Sequence, residues 1–335
     1  MASHLDIGSN GVRFVGILGM GGMGKTTIAK ALYNQLYHNF EAKCFLANIK
    51  DISKQPNGQI RLQEQLLSSL TKSTKIKLEN VDRGIVVLQE RLRRKKVLLI
   101  LDDVDEIGQL NAIARSREWF GSGSRIVLTT RDQHLLNQLE VDGICSVDEM
   151  DDTEALELFS WHAFRNSYPS ETFHELSKRV VNYSGGLPLA LEVLGSFLFG
   201  RSRAEWEDTL NKLKKIPDDQ IQRKLRISFD GLNDHTYKDI FLDVSCFFIG
   251  VDKNYVEQVL DGCGFFPKIG ISVLLQRCLL TIGDKNKLMM HDLLRDMGRE
   301  IVREKFPKEP ERHSRLVLHE EVLSVLSRHK VKETL

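Results

Sequence analysis

Gly19-Met20-Gly21-Gly22-Met23-Gly24-Lys25-Thr26 decides how this 335-residue chain is read, because it fits G-x-x-x-x-G-K-[ST] between two segments of different periodicity. Upstream, residues 12–18 form a short apolar run that reads as a strand. Downstream, Ile28, Leu32 and Leu36 recur at helical spacing. Glycines let the main chain curl until its N–H groups converge on phosphate oxygens, and the helix N-terminus adds a favourable dipole. Gly19, Gly21, Gly22, Met23 and Gly24 would form that cradle. Lys25 would bring a point charge to the β- and γ-phosphates, Thr26 a hydroxyl to Mg2+, and Thr27 a contact to the α-phosphate. The competing reading is an ordinary glycine-rich turn, which the strand–loop–helix context disfavours.

Two further groups belong at the same edge. Residues 97–101 are wholly apolar, the mark of a strand buried on both faces, and Asp102-Asp103 follows at its end. A carboxylate there is the expected second partner of Mg2+. Asp102 would hold the metal through water, and Asp103 would orient or activate an attacking water as the catalytic residue. Asp103 has a plainer alternative as the cap of the next helix. Thr129-Thr130-Arg131 closes another predicted strand, 125–130, so Arg131 reaches the carboxyl edge where open α/β sheets bind ligands and would sense the γ-phosphate.

The surrounding pattern alternates strand and helix. Strands are expected over 12–18, 44–49, 97–101, 125–130 and 144–147, with a helix opened by Gly58 and carrying Leu62, Leu66 and Leu70. That implies a parallel sheet covered on both faces. Beyond residue 150 helical periodicity takes over, at 153–163, 171–183, 187–199 and 203–216, a small bundle. After Pro217 come helices at 220–229, 236–248, 254–260 and 269–277, short β pieces near 280–282 and 287–290, and a helix over 293–305. Helices followed by a hairpin suggest a winged helix. The expected division is 1–150, 151–217, 218–308 and a linker over 309–335.

Composition sets limits. Lys and Arg number 47 against 46 Asp and Glu, a net charge of +1, which speaks against a binder that works by neutralising nucleic-acid phosphates. The basic run Arg91-Leu92-Arg93-Arg94-Lys95-Lys96 reads as a solvated helix end. Five dispersed cysteines with no C-x-x-C pair fit reduced thiols in the cytosol or nucleus. No apolar run approaches the roughly 20 residues that span a bilayer, so no membrane partner is expected.

Six motifs then occur in one order: the glycine loop, Leu99-Ile100-Leu101-Asp102-Asp103-Val104-Asp105, the Gly121 to Arg131 segment, Gly186-Leu187-Pro188-Leu189-Ala190-Leu191, Cys246-Phe247-Phe248-Ile249-Gly250, and Met290-His291-Asp292. In this the chain resembles plant NB-ARC disease-resistance proteins over nearly its whole length. Asp105 resembles the class with an N-terminal TIR domain. The resemblance implies an α/β P-loop NTPase domain followed by a helical bundle and a winged-helix subdomain. It implies ADP bound at rest, ATP bound when active, and self-oligomerisation in defence signalling. Pro188 would then pack near adenine and His291 would meet the ADP β-phosphate. Each has a plainer reading too: Pro188 as a first-turn proline, and His291 as a solvated residue at a helix start. Asp292 reads as an ordinary N-cap that also fixes His291.

Three departures are expected to matter. The chain starts just before its first strand, without the Val-Gly-Arg-like segment that contacts adenine in the family. Neither a TIR domain nor leucine-rich repeats is read within it, so TIR-borne NAD cleavage would lie elsewhere. Arg315-Leu316-Val317 stands where relatives often carry tryptophan after leucine. Two competing functions remain, a rapid-turnover P-loop ATPase or kinase and a DNA-binding winged helix.

Overall fold

The computed structural model describes residues 2–332 except 72–75, 214, 215, 305, 308 and 318. The parts of the expected segments 203–216, 293–305 and 309–335 that fall on those positions, or on 333–335, lie outside the described residues. Two compact units divide the chain. One contains Met1–Gly19 and Met23–Asp148, the other Met20–Gly22 and Glu149–Leu335.

The first unit is the parallel sheet. Its strands are β1 (Arg13–Leu18), β2 (Ala42–Leu46), β3 (Val97–Leu101), β4 (Arg125–Thr130) and β5 (Gly143–Ser146), ordered β2-β3-β4-β1-β5. β3 is buried at all five positions, as its unbroken apolar run requires. On one face Val15, Ile17, Leu98, Ile100 and Val127 pack on Ala29, Leu32 and Leu36 of the helix Lys25–Leu36. Each such aliphatic side chain gains roughly 1.5–3 kcal/mol by leaving water. Leu18 pairs with Thr130 and Leu101 with Leu128. β3, β4 and β1 are neighbours, so the chain leaves all three at one edge, at Asp102, Arg131 and Gly19.

One expected strand moves. Residues 44–49 do not form it; β2 runs Ala42–Leu46, and Ile49 opens the short helix Ile49–Ser53. The cause is Asn48, whose φ of 53° turns the chain through the left-handed region that asparagine tolerates. The basic run behaves as expected: the helix Val81–Leu92 ends inside it, with Arg93 as C-cap. Lys95 donates to the Leu70 carbonyl at 3.0 Å and Lys96 lies over the Phe40 ring.

Arg125, at the start of β4, is fully buried. Its guanidinium donates to the main-chain carbonyls of Leu5, Asp6, Ser9, Gly11 and Ser124, and to the Ser9 hydroxyl. A buried cation is tolerable when its donors are matched in this way.

Among its described residues, the second unit has helices and one hairpin as its regular elements. Asp152–Phe164, His174–Ser184, Pro188–Leu198 and Arg203–Leu213 gather around Phe159 and Trp206, whose indole N–H donates to the Leu198 carbonyl at 3.1 Å. Beyond them lie Asp219–Asp230, His235–Asp243, Lys253–Gly262, Pro267–Gln276 and Asp292–Arg303, with an antiparallel pair β6 (Thr281–Ile282) and β7 (Leu288–Met289). Helices plus hairpin form the winged helix. The helix expected over 236–248 stops being α-helical at Asp243 and continues as one π-helical turn, Val244–Phe248. Within 309–335 the chain also forms the helix His319–Lys332. Among the described residues, no helix is long and apolar enough to cross a membrane.

Candidate nucleotide-binding site

The loop owes its shape to two glycines with left-handed backbones. Gly24, at φ 82°, stands at the N-cap of the helix Lys25–Leu36 and supplies no side-chain cap. Gly24 thus offers the first-turn N–H groups of that 12-residue helix no side-chain acceptor of its own, the arrangement in which an anion binds. Gly22, at φ 87°, accepts a hydrogen bond from the Leu189 N–H, and a Cβ there would stand 2.9 Å from the Leu189 Cβ. No other residue fits both demands.

Lys25 is buried, and its ammonium donates to the Gly19 carbonyl at 2.7 Å. That bond turns the lysine back toward the end of β1. Met23 is buried beside it, and Thr27 is exposed.

Asp102 is the centre of the opposite wall. The Thr26 hydroxyl donates to its Oδ1 at 2.8 Å and the Thr129 hydroxyl to the same oxygen at 2.7 Å. A hydroxyl and a carboxylate held this close are the hard oxygen donors that Mg2+ takes, so this pair fits the metal. Thr129 does more, since its oxygen also accepts the Asp103 N–H at 2.8 Å. Position along β4 could suggest it, because Thr129 is the penultimate residue of a strand adjacent to β3, next to the Arg131 already named as a candidate.

Asp103 has φ 59°, an uncommon conformation for a residue with a side chain. The alternative of Asp103 as a helix cap does not hold: the next helix, Ile107–Asn111, is capped by Glu106 through a capping box with Gln109. Instead the Asp103 carboxylate lies 4.0 Å from the Arg131 guanidinium, both partly exposed. Thr26, Asp102, Asp103 and Arg131, read from three separate segments, are thus linked by contacts in the first unit.

Pro188 and His291 belong to the second unit. Pro188 occupies the first turn of its helix, where a missing N–H costs nothing. His291 is the N-cap of the helix Asp292–Arg303, a place expected for Asp292. Its Nδ1 accepts the Leu293 N–H at 3.1 Å, which leaves the proton on Nε2 to donate to the Gly185 carbonyl at 3.1 Å. The Glu149 carboxylate stands 3.9 Å from Nε2. Asp292 instead turns outward and pairs with Arg295 at 2.6 Å. The imidazole outcompetes the carboxylate because it alone is buried, with a 4% exposed side chain, and can serve two elements at once.

Comparison with known proteins gives the geometry its context. The family model for the NB-ARC domain matches residues 1–168, and that of the Roq1-like winged-helix domain of disease resistance proteins matches residues 234–306. The disease resistance protein RUN1 of Vitis rotundifolia is 45% identical over 317 residues, covering 94% of this chain and 24% of its own length. The TMV resistance protein N of Nicotiana glutinosa is 42% identical over 332 residues, 97% of this chain and 28% of its own. The chain thus spans about a quarter of the length of the curated relatives it matches. Among solved structures, the Walker-type ATPase PABY2304 of Pyrococcus abyssi aligns with a TM-score of 0.58 at 14% identity, over 85% of this chain and 91% of that one, a likeness of fold. A phosphate-binding loop on a five-stranded parallel sheet and a winged helix downstream, matched by both family models, establish that the chain belongs to the NB-ARC family.

Proposed function

We propose that this chain is the nucleotide-operated switch of a plant immune receptor, with ADP bound at rest and ATP in the signalling state. The observation that carries the reading is the convergence of Thr26 and Thr129 on Asp102, beside a lysine whose ammonium donates to the Gly19 carbonyl. Gly19 to Thr27 would hold the phosphates. Mg2+ would be held by Thr26 and Asp102 and would neutralise charge on the terminal phosphates. Asp103 would orient the attacking water and Arg131 would register the γ-phosphate.

Pro188 and His291 would read the nucleotide from the helical and winged-helix parts, proposed as 151–217 and 218–308 after a nucleotide-binding part over 1–150. The bond from His291 to Gly185 gives this a physical form, since an imidazole that turns to a β-phosphate must release that carbonyl. A nucleotide shifts such an equilibrium only by binding one state better than the other. Residues 309–335 would lead toward leucine-rich repeats and an N-terminal TIR domain would complete the receptor, which would self-associate with ATP in the cytosol or nucleus. The relatives' names, disease resistance proteins, support the defence role.

The test is to denature freshly purified protein, identify the released nucleotide, and follow the melting temperature on adding ADP with Mg2+. Released ADP and a rise in melting temperature are expected. Neither occurring would overturn the proposal, and steady-state hydrolysis of many turnovers per second would favour a catalytic P-loop enzyme instead.

A further inference from the structure

The Asp103 carboxylate lies 4.0 Å from the Arg131 guanidinium while its main chain sits in the left-handed region, a conformation uncommon for a residue with a Cβ. Its N–H is held by Thr129. Its carbonyl is held from the other side, by the Lys50 N–H at 3.1 Å, and the Asp102 carbonyl by the Ile49 N–H at 3.0 Å. The same short helix supplies a charge. Lys50 Nζ lies 3.2 Å from Asp105 Oδ2, with the side chains 18% and 21% exposed. The other oxygen of Asp105 accepts from Gln109 Nε2 at 2.6 Å, and the Asp105 N–H donates to Gln109 Oε1 at 3.1 Å. Gln109 is itself buried. Asp105 is therefore fixed between a cation from the helix Ile49–Ser53 and an amide from the helix that follows the loop.

We infer that Lys50 is a positioning residue for the nucleotide site: by pairing with Asp105 it holds the 102–105 loop in the conformation that aims Asp103 at Arg131. This rests on the proposed nucleotide reading. Its consequence is selective. ADP affinity depends on the glycine loop, Lys25 and Thr26, none of which bonds to Lys50 in this network. The placement of Asp103 matters only when a γ-phosphate and an attacking water are present. Loss of the pair should affect hydrolysis and the preference for ATP, while ADP binding stays as it was.

The experiment compares the full chain with Lys50→Met, Asp105→Asn, Lys50→Arg and the exchanged pair Lys50→Asp with Asp105→Lys. ADP affinity, ATP affinity and the single-turnover hydrolysis rate are measured for each. Lys50→Met and Asp105→Asn should slow single-turnover hydrolysis by roughly tenfold or more, the scale expected when a reacting group is misplaced by about an ångström. ADP affinity should stay within about twofold. Combining the two changes should be no worse than either alone, since both break one interaction. Lys50→Arg and the exchanged pair should regain most of the rate. Unchanged hydrolysis in Lys50→Met, or a fall in ADP affinity by the same factor as the rate, overturns the inference. So does a folded Lys50→Arg protein that hydrolyses no faster than Lys50→Met. Should Lys50→Met not fold, the exchanged pair decides alone. Wild-type protein that binds no ADP overturns the underlying reading, a result distinct from all of these.

Discussion

Thr26 and Asp102 are 76 positions apart in the chain, yet the hydroxyl of one donates to the carboxylate of the other at 2.8 Å. The contact follows from the strand order, because β3 and β1 flank β4 and release their chains at the same edge. Thr129, from β4 itself, completes the triangle at 2.7 Å. Two hydroxyl donors on one oxygen hold the carboxylate in a single orientation, the condition under which it would hold the proposed divalent cation.

Asp102→Asn tests that condition. Asparagine keeps an acceptor for both hydroxyls and loses the negative charge. The melting temperature should still rise with ADP in EDTA, but the further rise on adding Mg2+ should vanish. An unchanged Mg2+ increment would assign the metal to another group.

Lys25→Ala should purify free of nucleotide. Removing one partner of a buried, hydrogen-bonded charge pair costs about 2–5 kcal/mol, so ADP affinity should fall roughly thirtyfold or more. Equilibrium dialysis with labelled ADP measures it, and near-wild-type affinity would contradict the role given to the lysine.

His291→Ala should lower the unfolding free energy by about 1–3 kcal/mol, since it removes a helix cap and leaves the Gly185 carbonyl without that donor. His291→Asn should recover part of the loss, asparagine being a good N-cap too short to serve both elements. Asp292→Val, at a side chain 66% exposed, should cost at most about 1 kcal/mol. Urea denaturation ranks the three.

Cys44 should resist alkylation in the folded protein. Burial pushes its thiol up to about 11, against the lowering effect of a hydrogen bond to Ser69. At pH 8 roughly one molecule in a thousand would carry the thiolate. Cys263 is exposed and should label first with iodoacetamide. Mass spectrometry of peptides after brief labelling gives the order, and early modification of Cys44 would mean that the sheet opens readily.

Acid should weaken the first unit through Asp142. Burial alone would raise its pKa, but the hydrogen bond from Arg117, the Phe14 N–H and the charges of Arg117 and Arg13 together hold it below the ordinary 3.8. A carboxyl whose folded value is depressed stabilises fully above its unfolded value, and that contribution is lost as pH falls through the folded one. Stability should therefore decline below about pH 4, and Asp142→Asn should flatten that decline. Urea midpoints from pH 5 downward measure both slopes.

The sheet was legible because β3 is apolar at every position and the glycine loop marks where β1 ends. The bonds that the Ile49 and Lys50 N–H groups donate to the Asp102 and Asp103 carbonyls were not, since a single left-handed residue, Asn48, moves the end of β2 by three positions and no periodicity signals it. The Lys50–Asp105 pair joins two segments whose proximity exists only once β2 and β3 are side by side. At the winged helix, the choice of His291 over Asp292 as cap went against the usual preference for aspartate. Burial decided it, and burial depends on what packs nearby. The π-helical turn after Asp243 likewise interrupts a run that reads as one uniform helix.

Arg125 touches residues 5–11 almost wholly through main-chain oxygens. Such a tether is indifferent to the identity of the side chains it grips, apart from the Ser9 hydroxyl. Gly8 or Asn10 could be exchanged and these bonds from Arg125 would remain. Part of the information that fixes the entrance to the sheet is thus stored in one arginine more than a hundred positions downstream, beside what Leu5 and Ile7 add by packing on the core.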